Sequence, residues 1–369
     1  MTDGVETKRL RGVGKGSRFF VLGKDRWEQL WKVPTVSRMN LVSTYLVLLA
    51  GTGSDHQLTK WSAKACEEHV GIGKPRAKRA IEELISANMI SRADGATMLS
   101  PQYRFPPLPL DDQEPIFLPV QLVTGLASET PVLRRVRETG DAMALRMLID
   151  LYGLVQVDAT NGVPIRALRQ SEGDGPAARK LCEMGVHAIW AVTAGTYQNA
   201  SGDWAVLHRE KTKSKEGAWD LFWERVGLLK KIGALWYEPW LFDGTDVEAE
   251  PLMPLDLGVL YGSGVRDEIA ELTRCIHEAA TTMISEERSY LLDRYEAALL
   301  VPLATHRQAP AIRGVARLTV EADTPGSRRA YGSRRRLIER NLQAFKSVLS
   351  DALEGRFDRP MQLASAERL

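Results

Sequence analysis

Two glycine-spaced lysines have the residue types that hold phosphate. Gly71-Ile72-Gly73-Lys74 and the segment Gly12 to Ser17, GVGKGS, both set backbone N–H groups beside a lysine. A loop that cradles a nucleotide phosphate follows a buried strand and ends in Gly-Lys-Ser/Thr, whose hydroxyl holds magnesium. Lys74 is followed by Pro75, and SAKACEEHV before the turn reads as a helix. In GVGKGS no apolar strand precedes the loop, and Gly16 stands where the hydroxyl is needed. Neither segment reads as a nucleotide site. What remains is the helix over Pro75–Ala87, with Pro75 suited to its first turn. Ala77, Ile81, Leu84 and Ile85 share one face, while Arg76, Arg79, Glu82 and Glu83 point outward with Lys78 on the flank. Lys74, Arg76, Lys78 and Arg79 fill its first turn and a half, and the acids come later. Arginine there can donate two hydrogen bonds to guanine O6 and N7. A solvated basic face is the bland alternative, but cations at a helix start oppose the helix dipole.

Enzymatic constellations are missing from the sequence. There is no G-x-S-x-G, no H-E-x-x-H and no His-hydrophobic-His triplet. Cys66 and His69, Cys182 and His187, and Cys275 and His277 are close pairs with unequal spacing in separate regions. Zinc ligands keep a regular spacing, so core cysteines are the simpler reading. No catalysis, metal or cofactor is expected, although the acids of Asp243 to Glu296 leave a metal-dependent nuclease open. Trp219, Trp223, Trp236 and Trp240 lie among Leu and Phe and read as core.

Three regions must position these residues. Residues 1–104 hold a basic arm, the apolar helix NLVSTYLVLLAG, the helix capped by Ser62, the turn Gly71–Gly73, the cationic helix and two strands around Asp94-Gly95. Residues 105–115 are proline-rich and acidic, a linker. Residues 116–243 offer a helix in TGDAMALRMLIDLYGLV, and then a helix and an aromatic strand separated by Gly233. From 254 to 369 apolar residues keep helical spacing from Val265 to Met283, continue through Leu291, Tyr295 and Leu299, and return from Ile338 to Leu353 between Ser333 and Gly355.

Helix, helix, turn, helix, hairpin is the order of a winged helix-turn-helix, and the first region resembles that superfamily. The second region repeats the plan loosely. Two such modules resemble plasmid-type replication initiators; one alone resembles a transcription regulator equally well. The resemblance implies a mainly α fold with small β wings: two winged-helix-like domains, the second with an insertion over 156–215, and a helical C-terminal region. It implies double-stranded DNA as partner, the Pro75–Ala87 helix in the major groove and the Asp94-Gly95 hairpin beside it. A module of this kind can also bind protein, as in a scaffold or a defence-system subunit.

Further cations extend the same expectation. The N-terminal arm has Lys8, Arg9, Arg11, Lys15 and Arg18, and Lys211, Lys213 and Lys215 precede the helix at Trp219. Arg328, Arg329, Arg334, Arg335, Arg336 and Arg340 are six arginines in thirteen residues. They suit phosphate, or the segment 243–296 with thirteen acids against four arginines. The last helix could close a homodimer or pack within its own chain.

The totals agree with a multidomain globular protein: 369 residues, 44% hydrophobic, 26% charged, net charge +2. So small a net charge leaves any pull on polyanions to local clusters. No apolar run has membrane-spanning length, and MTDGVETKRLRG lacks an apolar signal core. With three scattered cysteines, a reducing cytoplasm is the expected setting.

Overall fold

The computed structural model describes residues 19–108, 115–127, 129–157, 160–172, 178–192, 196–208, 217–261, 267–284, 290, 297–303 and 308–358. They form two compact units. The first gathers residues up to 153 with 223–234 and 319–324. The second gathers 154–222, 235–318 and the chain from 325 on. The units interleave along the chain, whereas the three regions read from the sequence are consecutive.

The first unit opens with β1 (Phe19–Leu22), α1 (Lys24–Lys32) and α2 (Arg38–Ala50). α2 is capped by the Ser37 hydroxyl, which accepts from Asn40 N–H, and is buried from Leu41 to Ala50. β2 (Leu58–Thr59), α3 (Ala63–Val70) and α4 (Lys74–Ser86) follow, then β3 (Ser91–Arg92) and β4 (Tyr103–Arg104). The three short strands pair antiparallel in the order β2-β4-β3. Helices α2, α3 and α4 pack on one another. From α4, Ala77, Ala80, Ile81 and Leu84 are buried, as its apolar stripe requires, while Ile85 is only partly covered. Burial of one such Leu or Ile contributes about 1.5–3 kcal/mol. β5 (Ile116–Pro119) pairs antiparallel with β1, so this unit continues past the proline-rich segment. It adds α5 (Gln121–Thr124), α6 (Val132–Thr139) and α7 (Ala142–Leu154). Trp27 Nε1 on α1 donates to Asp150 on α7 at 2.6 Å, and Arg225 pairs with Asp141 at 2.9 Å.

The second unit is built on sheets. Its strands are β6 (Leu168–Glu172), β7 (Arg179–Met184), β8 (His187–Val192), β9 (Thr196–Ala200), β10 (Leu235–Asp243), β11 (Glu250–Pro254), β12 (Ala297–Pro302) and β13 (Ala311–Leu318). They form a five-stranded antiparallel sheet, β11-β10-β13-β6-β9, and a three-stranded one, β12-β8-β7. Its helices are α8 (Gly202–His208), the start of α9 (Gly217–Lys231), α10 (Glu268–Met283) and α11 (Pro325–Leu353). α10 packs on α11 and β12. Leu272, Ile276 and Met283 of α10 share a core with Ile189, Leu299, Val301, Phe345 and Val348. Leu342, Phe345 and Val348 of α11 are buried inside its own unit, while Leu353 at its end is 70% exposed.

The mainly α fold with small wings, the second winged helix and the helical C-terminal region are not what forms. Among the described residues, thirteen strands in four sheets stand beside the helices, a mixed α+β fold. The physical reason lies in double-sided burial. In β8 (HAIWAV) and β12 (AALLVP) every residue is buried. Such strands lack the period-two alternation, and a short apolar run reads equally well as helix. Leu299 thus belongs to β12 and not to an extension of α10. The aromatic strand after Gly233 is β10, flanked by β11 and β13 rather than set in a wing. α11 starts at Pro325, so Ser333 lies inside the helix and does not cap it.

Candidate nucleic-acid interface

The turn before α4 is set by backbone chemistry. Gly71 ends α3 with φ 68°, a left-handed conformation that glycine adopts at little cost. Its N–H donates to Glu67 O and that of Ile72 to Cys66 O, both at 3.1 Å, and Ile72 is buried. These two bonds satisfy carbonyls that the end of α3 leaves open. Gly73 then precedes α4 with no side-chain cap and Pro75 in the first turn. Arg76 N–H and Ala77 N–H both donate to Gly73 O.

Lys74, Arg76, Lys78 and Arg79 are exposed in the first turn and a half of α4. Lys74 Nζ is 3.3 Å from Glu67, and Arg79 Nε is 3.4 Å from Glu83. Arg76 and Lys78 have no carboxylate partner among the described residues. The acids further along are engaged: Glu82 pairs with Arg92 at 2.5 Å, and Glu83 also accepts from the Thr35 hydroxyl at 2.6 Å. Along the helix, exposed cations come first, two of them ion-paired, and paired acids follow.

Beside α4, the β3–β4 hairpin turns at Asp94-Gly95, with Gly95 at φ 79°. Ala93 N–H donates to Gln102 O, and Thr97 and Ser100 close a second turn at the tip. Between them Met98 and Leu99 are each 99% exposed.

Sequence reasoning missed α6. Arg137 Nε donates to Val70 O, the C-terminal end of α3, at 2.5 Å. A side chain begun at Gly71 would meet Arg137 Nη2 at 3.3 Å and Arg134 Nε at 3.5 Å. Arg134 also pairs with Glu138 at 2.9 Å. Two guanidiniums thus flank the turn that leads into α4. The run VLRRVRET carried the charge signal; its position next to Gly71 is a long-range contact that no local pattern encodes.

The remaining expected contacts divide. Lys211, Lys213 and Lys215, GVGKGS and the basic arm lie outside the described residues. Arg328 and Arg329 are exposed at the start of α11. Arg335 pairs with Glu339 at 2.8 Å, and Arg336 donates to Ser333 Oγ at 2.8 Å. Arg334 is turned inward onto Glu238, which also takes Arg317 at 2.7 Å. Within the acidic segment, Arg274 bridges Glu271 and Glu278 at 2.8 and 2.7 Å, and Lys346 lies 3.7 Å from Glu271.

The cysteine–histidine pairs do not assemble. Burial pushes the Cys66 thiol up to about 12, while His69 stacks on Trp61 at 4.7 Å. His277 Nδ1 is 3.0 Å from Ala298 O. Among the described residues no group of three His, Cys, Asp or Glu could hold a metal, and no helix is long and apolar enough to cross a membrane. Compared with protein-family models, curated proteins and solved structures, the chain finds no match.

Proposed function

We propose that the protein binds double-stranded DNA through its first unit. α4 is the helix that enters the major groove, and the 93–102 hairpin is the wing beside it. The order α2, β2, α3, α4, β3, β4 and the strand order β2-β4-β3 support this reading, since the winged helix-turn-helix that the sequence resembles is built in that order. The observation that carries it is the exposed start of α4, where Arg76 and Lys78 have no carboxylate partner among the described residues. Arg134 and Arg137 at the Gly71 turn add charge where a phosphate backbone would run. The initiator reading drew on two winged helices in tandem. With one such arrangement, a regulator at an operator is the form we put forward.

A second reading, docking of a protein by the same module, draws on Met98 and Leu99 at the hairpin tip. Fluorescence anisotropy of a labelled duplex with the full chain, titrated from 50 to 200 mM salt, separates the two. DNA binding requires retention at low salt and a steep linear fall of log K with log salt, since each phosphate contact releases counterions. Absence of retention at low salt overturns the proposal.

A further inference from the structure

One face of the five-stranded sheet gathers several arginines, two of which have no carboxylate partner among the described residues. On β13, Arg313 and Arg317 lie opposite Trp240 and Trp236 of β10, with Glu238 opposite Val315 between them. On β6, Arg169 is also opposite Val315, and Ser171 is opposite Arg313. The period of two sets Arg169, Glu238, Arg313 and Arg317 on one face. Arg334 of α11 joins them through Glu238. Arg317 and Arg334 both engage Glu238, while Arg169 and Arg313 lie on the same face without pairing to it.

That carboxylate is fully used elsewhere. Glu238 accepts from Arg317, Arg334 and Trp240 Nε1, and Arg317 further donates to the carbonyls of Thr160 at 2.6 Å and Asn161 at 3.2 Å. Arg313 is different. It is only 1% exposed, yet it makes one hydrogen bond, from Nη1 to the Asp246 carbonyl, and lies 5.5 Å over the Phe242 ring. Its Nε is buried without an acceptor, and so is the Nε of Arg169, whose guanidinium lies 5.4 Å over Tyr197. Neither has a carboxylate within ion-pair reach among the described residues. The two like charges repel, and burial with that repulsion pulls Arg313 down to about 10. A buried guanidinium with unmet donors and no counter-ion is strongly unfavourable.

We propose that Arg313 and Arg169 form a binding site for a phosphate group, a dianion bridging their two guanidiniums beneath the Asp246 turn. The planar fork of arginine suits phosphate oxygens, and a doubly charged ligand answers the excess charge better than chloride. A ligand would enter beside β9, the edge strand of the sheet, where Tyr197 is half exposed over Arg169. Arg313 is too deep for the backbone of a duplex, so the phosphate is inorganic or belongs to a small phosphomonoester. The exposed Asp246 attracts Arg313 from beyond ion-pair distance and is the in-chain competitor for that place. The site lies in the second unit and stands apart from DNA binding by α4.

Isothermal titration calorimetry of the full chain with inorganic phosphate, at fixed pH and ionic strength in chloride, tests the site. A parallel titration with a nucleoside 5′-monophosphate distinguishes the free anion from an esterified one. The native chain should bind at least one of them. Arg169→Met and Arg313→Met should weaken binding by about ten- to a hundredfold, as expected for lost hydrogen bonds to a charged group. Asp246→Asn should tighten it. Should Arg313→Met fail to fold, Arg169→Met decides, because that side chain is only partly buried. No binding of either ligand by the native chain, or unchanged affinity in the arginine variants, overturns the proposal.

Discussion

Replacing Arg76 and Lys78 together by alanine isolates the charge of α4 from its fold. Both side chains are exposed and have no carboxylate partner among the described residues. Alanine is the stronger helix former, so folding stability should change by no more than about 0.5 kcal/mol. Each phosphate contact contributes about −0.9 to the slope of log K against log salt. With Lys74, Arg76, Lys78 and Arg79 all engaged, the native slope from this helix is about −3.6, a loss of about 150-fold in affinity between 50 and 200 mM salt. The double variant should keep about half that slope and lose only about twelvefold over the same range. Anisotropy titrations of both proteins on one duplex read this directly, with thermal melts as the folding control. The single variant Arg76→Ala adds sequence information. Discrimination falling by about 1–3 kcal/mol at one base pair means that the guanidinium reads a base; equal weakening on every duplex means that it meets phosphate. A double variant with the native salt slope would refute the placement of α4 on DNA.

Two further outcomes follow from buried groups. Glu238→Gln leaves Arg317 and Arg334 without their shared carboxylate and should cost about 3–5 kcal/mol, read as an earlier urea midpoint in Trp fluorescence; an unchanged midpoint would show that the network is not strongly coupled to folding. The Cys66 thiol, raised by burial from 9.0 to about 12, favours the folded state fully below pH 9, and that contribution is lost as pH climbs from there toward 12; the stability difference between the native chain and Cys66→Ala should shrink over that interval, and a difference that stays constant would contradict the burial of the thiol.

The stretch from α2 to β4 was legible because its signals are local. Ser62 before an apolar run, Gly71 after it, Pro75 inside the next helix and Asp94-Gly95 between short strands each act within a few residues. The second unit was not, because its signals are distant. β13 pairs with β6 across about 140 residues, and β12 with β8 across about 110. Their apolar runs carry no alternation. Arg313 and Arg317, inside a strand buried at every position, give the sequence a polar interruption whose meaning appears only once Glu238 and Arg169 are brought alongside. For the candidate interface, the four cations of α4 could be read from spacing, whereas Arg134 and Arg137 required the folded turn. The inward rotation of Arg334 likewise depends on the position of β10 and could not be told from its five arginine neighbours.

α4 starts differently from three capped helices of the chain, although α1 and α6 also begin without a side-chain cap. α2 and α3 are capped by Ser37 and Ser62, and α10 by Asp267 with Glu268 and Glu271 in its first turn. Those acids and hydroxyls complement the open N–H groups and positive end of a helix. α4 instead begins at glycine without a side-chain cap, has no acid in its first turn, and starts with Lys74 and Arg76. Each cation so placed costs a few tenths of a kcal/mol or more at low ionic strength, and glycine rather than serine at the N-cap costs a few tenths more. The same arrangement presents the positive end of the helix and the exposed Arg76 and Lys78 to one outer partner, and a phosphate oxygen suits both. If that is why the start of α4 is left uncapped and cationic, Gly73→Ser together with Lys74→Glu should raise the thermal midpoint while removing duplex binding. A variant that gains stability and still binds as the native chain does would show that the start of α4 is only a solvated face.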